Sequence, residues 1–104
     1  MGDFVRVAAV SDLSDGEVMM IEIDGQDVML ANLEDKFYAI SDECPHAGGS
    51  LSQGHVDNGE IECPVHGGLF DIKTGENTGP PVAEPVQSYP VRIDGDDVLV
   101  RSEQ

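Results

Sequence analysis

Both cysteines of this chain and two of its three histidines fall in two short segments, Cys44-Pro45-His46 and Cys63-Pro64-Val65-His66. The pattern is Cys-x-His, sixteen residues, then Cys-x-x-His. Two thiolates and two imidazoles are enough to hold a metal or a cluster without further donors. Any fold that uses them together must set two loops side by side. Structural zinc sites usually pair Cys with Cys and His with His. Here each segment offers one sulfur and one nitrogen. That mixture suits a two-iron cluster with both thiolates on one iron and both imidazoles on the other. Two other readings use the same residues: a zinc-stabilised binding module, or a single disulfide between the two cysteines.

The surroundings of the four donors narrow the choice. Cys44-Pro45-His46, Gly59-Glu60-Ile61-Glu62-Cys63-Pro64, His66-Gly67-Gly68-Leu69-Phe70-Asp71 and Thr74-Gly75 resemble the Rieske-type [2Fe–2S] ferredoxins of bacterial aromatic-ring-hydroxylating dioxygenase systems. The resemblance runs over nearly the whole chain. It implies that Cys44 and Cys63 bind the inner iron and His46 and His66 the outer one, near the protein tip. It also implies a role: a one-electron carrier between an NAD(P)H-dependent ferredoxin reductase and a terminal Rieske non-haem iron oxygenase. Docking would be transient, at the His46/His66 edge. High-potential members of the wider family add a cysteine to each loop, and those slots hold Gly49 and Val65 here. Two hydroxyl-bearing positions of those proteins correspond to Gly68 and Phe70, which have none. Loss of donors that favour the reduced state implies a potential toward the bottom of the Rieske span of about −150 to +300 mV. A similar domain serves as the small subunit of nitrite reductases, often without the ligands; all four are present here.

The remaining pattern is all-β. Runs rich in β-branched residues alternate with turn signals. Strands are expected at 4–7, 17–23, 28–33, 37–40, 91–93 and 98–100. The segments Asp24-Gly25-Gln26-Asp27 and Asp94-Gly95-Asp96-Asp97 read as hairpin turns, and Glu34-Asp35-Lys36 as a third turn. Residues 11–15 have room for one helical turn. Between 41 and 81 the composition changes: all three histidines, both cysteines and eight of the twelve glycines lie there. Glycine permits the close backbone approach that cluster-wrapping loops need. The expected architecture is a Rieske-type antiparallel β sandwich or barrel. A basal domain of about 1–40 and 82–104 carries an inserted cluster-binding subdomain of about 41–81. Gly79-Pro80-Pro81 has two readings, a loop covering the cluster or an ordinary rigid turn. His55, with no partner at ligand spacing, reads as an exposed loop histidine. Met19, Met20 and Met29 read as core filler, and Phe37, Tyr38 and Phe70 as packing residues.

Charge and length limit the function. Five basic against twenty-one acidic residues give a net charge of −16, which repels nucleic acid and anionic membranes. A partner with a basic docking patch would be steered toward this chain in a salt-dependent way, although the dispersion of the carboxylates also fits a solvated surface serving solubility. The first residues lack the basic start and apolar run of a signal peptide, and no stretch approaches a membrane span. A cytoplasmic protein is expected. There is no phosphate loop, dinucleotide fingerprint or nucleophile–base set, so the chain reads as a carrier and not an enzyme.

Overall fold

A computed structural model describes residues 4–44, 49–65, 67–79 and 84–101. Eleven strands are present among them: β1 (Val5–Ala9), β2 (Val18–Ile23), β3 (Gln26–Leu33), β4 (Lys36–Ser41), β5 (His55–Asp57), β6 (Glu60–Glu62), β7 (Leu69–Asp71), β8 (Asn77–Gly79), β9 (Ser88–Tyr89), β10 (Val91–Asp94) and β11 (Asp97–Val100). They form three sheets, ordered β1-β11-β10, β2-β3-β4-β9 and β5-β6-β7-β8. Every pairing is antiparallel. The chain leaves the second sheet at β4, builds the third, and returns to pair β9 beside β4, with Ala39 opposite Tyr89. The third sheet is thus an insertion between two neighbouring strands.

Tight turns set the registers. Asp24-Gly25, Glu34-Asp35 and Asn58-Gly59 each have positive φ at both central residues, the signature of a type I′ hairpin turn. Only the middle one lacks glycine. It is held instead from outside, by Glu34 N–H donating to Asp15 Oδ1 at 2.7 Å and Asp35 N–H to Asn32 Oδ1 at 3.0 Å. The turns are shorter than the sequence suggested. Gln26 and Asp27 already belong to β3, and Asp94 and Asp97 pair with each other across the last hairpin. The expected helical turn is a 3-10 turn at Val10–Asp12.

Strand β3 explains the layering. Its run Val28-Met29-Leu30-Ala31 is apolar without alternation and fully buried, as a strand covered on both faces must be. Side chains alternate across a strand. Val28 and Leu30 accordingly face a first core with Ile21, Ile23, Val98 and Val100. Met29 and Ala31 face a second with Ile40, Leu51, Ile61, Phe70 and Ile72. Each large side chain so buried contributes about 1.5–3 kcal/mol. The second core spans the second and third sheets, so the inserted sheet is fixed to the body by shared packing. Cys44 and Cys63 belong to this core. Met29, Phe37 and Phe70 pack as expected, but Met20 is half exposed on the outer face of β2 and fills no core. None of the helices among the described residues is long and apolar enough to cross a membrane.

Candidate functional site

Each cysteine opens a loop whose neck is closed in the same way. Cys44 N–H donates to Gly49 O at 2.9 Å, and Cys63 N–H donates to Gly68 O at 2.7 Å. In both cases the acceptor is the glycine five residues on. The first neck is extended by a bridge between Glu43 and Ser50 and by Leu51 N–H donating to Asp42 O at 2.7 Å. The second is tightened by Gly67 N–H donating to Cys63 O at 2.8 Å, and β6 and β7 continue directly from it. The sequence signal for both is the same, a Cys-Pro start and a glycine pair before the next element.

The two loops abut. A Cβ placed on Gly49 would lie 2.6 Å from Val65 Cγ2, 3.5 Å from Val65 Cβ and 3.6 Å from Cys63 Sγ. A side chain at position 49 would require the exposed Val65 side chain to shift, and the neck of one loop lies beside the cysteine of the other. Cys44 and Cys63 are both 1% exposed, and neither is in a disulfide. The disulfide reading is replaced by a pair of buried thiols. Pro64 and Val65 are exposed, Val65 at 58%, so the second loop projects outward from a buried sulfur.

His46 and His66 lie outside the described residues, as do Pro80 and Pro81 of the proline segment. His55 is exposed, as expected, but it stands on β5 opposite Glu62 rather than in a loop. It shares a crevice of ≈ 400 Å³ with Glu62, Cys63 and Pro64. Gly68 is buried, and Phe70 is fully buried in the second core, so no hydroxyl stands at either position.

One group escaped the sequence reading. Asp42 is 2% exposed, the only buried charged side chain among the described residues. Its Oδ2 accepts from Ser50 Oγ at 2.5 Å and its Oδ1 from Ser52 N–H at 2.7 Å. In the sequence nothing sets it apart from the other acidic residues. The cations are also unevenly placed. Residues 41–91 hold eight carboxylates and one cation, Lys73. Arg92 and Arg101 instead stack on the Phe4 ring at 5.7 and 5.2 Å, and Arg6 pairs with Asp97 at 2.7 Å, all on the first sheet or at its edge.

Two buried thiols at abutting glycine-closed necks fit one iron of a binuclear cluster. The comparison with known proteins agrees. The model of the Rieske [2Fe-2S] domain matches residues 3–90. The chain belongs to this family. The biphenyl dioxygenase ferredoxin subunit of Pseudomonas sp. (strain KKS102) is 39% identical over 98 residues, covering 93% of this chain and 90% of that protein. The solved ferredoxin of carbazole 1,9a-dioxygenase from Nocardioides aromaticivorans IC177 is 41% identical, with TM-score 0.90 over 93% of this chain and 95% of that one. A chain in the complex of reduced oxygenase and oxidized ferredoxin in carbazole 1,9a-dioxygenase is 33% identical, with TM-score 0.92 over 97% of this chain and 94% of that one. The protein is thus a Rieske ferredoxin with a [2Fe–2S] cluster as cofactor, an electron carrier and not a catalytic subunit. The zinc-module reading falls with this assignment.

Proposed function

We propose that Cys44 and Cys63 ligate the inner iron and His46 and His66 the outer iron of that cluster. In this reading the Rieske ferredoxin takes one electron from an NAD(P)H-dependent reductase. It then docks its His46/His66 edge on the terminal oxygenase of an aromatic-ring dioxygenase system. Residues 41–81 act as the cluster-binding subdomain and residues 1–40 and 82–104 as the basal domain. The observation that carries the reading is the pair of buried, unbridged thiols at abutting necks, with each histidine two or three residues further along its own loop.

The cluster, when bound, supplies a one-electron couple between its diferric and mixed-valence states. The chain's own residues do the rest. Leu51, Ile61, Phe70 and Ile72 exclude water from the sulfur side. The exposed Pro64-Val65 segment leaves the opposite side open to a partner. Phe70 and Gly68 offer no hydroxyl to favour the reduced form, which supports a low potential. A nitrite reductase small subunit is the weaker reading, because ferredoxin components match this chain at up to 41% identity and the nitrite reductase small subunits at only 23–24%. A cytoplasmic location accords with a donor that draws on NAD(P)H.

The net negative charge that the loop region shares with the rest of the chain makes docking salt-dependent. Screening shortens the Debye length from about 30 Å at 0.01 M to about 3 Å at 1 M ionic strength. The rate of electron transfer from the reduced protein to a dioxygenase oxygenase component is expected to fall about tenfold or more across that range. Stopped-flow reduction of the oxygenase measures it. A rate indifferent to salt would remove the steering role, and no reduction at any salt would remove the carrier role itself.

A further inference from the structure

We infer that Asp42 positions the Cys44 loop and supplies a fixed negative charge that lowers the potential of the site. The inference rests on the ligand assignment above. Every polar atom of Asp42 is engaged. Its N–H donates to Asp27 O at 3.0 Å and its carbonyl accepts from Leu51 N–H at 2.7 Å. Its carboxylate accepts from Ser50 Oγ and Ser52 N–H. Ser50 Oγ and Ser52 Oγ are 3.0 Å apart. With Ser50 donating to the carboxylate, the Ser52 hydroxyl donates to Ser50, and the ring of bonds closes. One residue thus ties the β4 end of the loop to its return limb at three successive positions, 50, 51 and 52.

The Asp42 carboxylate is held by donors alone. Neither partner carries charge, and no cation pairs with it among the described residues. Its burial removes the solvent that would screen it. Asp42 stands two residues before Cys44, so their Cα atoms are within about 7 Å. Reduction adds one negative charge to the site. At a separation on the order of 8 Å and an effective dielectric of about 20, a unit charge biases that equilibrium roughly tenfold or more against the electron.

Two substitutions separate the charge from the scaffold. In Asp42→Asn, the side-chain carbonyl still accepts from Ser52 N–H. Its NH2 donates to Ser50 Oγ, and the Ser50 hydroxyl turns to Ser52. The ring survives and the charge is lost. Asp42→Ala removes both acceptors and leaves two donors facing nothing. Iron and sulfide counts, EPR g-values and a redox titration are read on the wild type and both variants. The expected result is full cluster content in Asp42→Asn with wild-type g-values. Its reduction equilibrium should shift about tenfold toward the reduced form, about 59 mV upward for one electron. Asp42→Ala should lose most of its cluster. An unshifted potential in a fully loaded Asp42→Asn would overturn the charge role, and full occupancy with unchanged g-values in Asp42→Ala would overturn the positioning role. If Asp42→Ala does not fold, Asp42→Asn still decides: lost occupancy or altered g-values with its bonds preserved would contradict the ring as drawn. A wild-type protein without a cluster would instead sink the ligand assignment on which the inference stands.

Discussion

Cys63→Ser is expected to give a colourless protein that binds no cluster and is at least ~4 kcal/mol less stable, in the class that loss of a metal occupies. The size of the effect follows from where the sulfur sits. Cys63 is 1% exposed and shares the second core with Ile61, Phe70 and Ile72. In a chain of 104 residues that core is small, and a group bound only by the folded state adds its binding free energy to folding. Serine removes the thiolate ligand and leaves a hydroxyl in an apolar pocket. Iron and sulfide analysis reads the first consequence and denaturant unfolding the second. The control is His55→Ala. His55 is exposed on β5, and its removal should change stability by less than about 0.5 kcal/mol and leave the iron content intact. A Cys63→Ser protein that kept its colour, or a His55→Ala protein that lost it, would mean that the ligand set is misassigned.

The second large effect is steric. Gly75→Ala should destabilise by roughly 3 kcal/mol or more, from two sources. Gly75 has φ +82°, where a Cβ is strained by about 1–2 kcal/mol. An added Cβ would also overlap the carbonyl oxygen of Val86. The two backbones are in contact here because Val86 N–H donates to Gly75 O at 2.8 Å. The neighbouring Gln87 carbonyl accepts from Ser41 N–H at 2.8 Å. Gly75 therefore joins the turn after β7 to the segment that runs beside the end of β4, just before Asp42 and Cys44. Gly25→Ala provides the comparison. Gly25 has φ +79° but open space around its missing Cβ, so only the conformational part remains, about 1–2 kcal/mol. Equal losses in the two variants would show that the Val86 contact carries no weight.

The strands of the outer body could be read from the sequence because each carries its own signal. Asp24-Gly25 between apolar runs announces a hairpin, and the unbroken run Val28 to Ala31 announces a strand covered on both faces. The four strands of the inserted sheet carry no such signal. They are three residues each, too short to show a period, and their glycine-rich flanks read as loop. They are strands because the shared core beneath Ile61 and Phe70 holds them together, which is a tertiary cause. The Cys-x-His and Cys-x-x-His segments disclosed the site because donors at fixed offsets mean something without a structure. Asp42 disclosed nothing. In the sequence it is one of twenty-one acidic residues, and only its burial against Ser50 and Ser52 sets it apart. The facing of Gly49 and Val65 was visible only as two positions lacking cysteine.

The most direct test of the central claim is a low-temperature EPR spectrum of the dithionite-reduced protein, with iron and sulfide counted on the same sample. A rhombic signal with an average g below that of all-cysteine [2Fe–2S] ferredoxins, with two irons and two sulfides per chain, is the result predicted for a cluster held by Cys44, His46, Cys63 and His66. A colourless, EPR-silent protein after anaerobic purification, or a spectrum of the all-cysteine type, would contradict it.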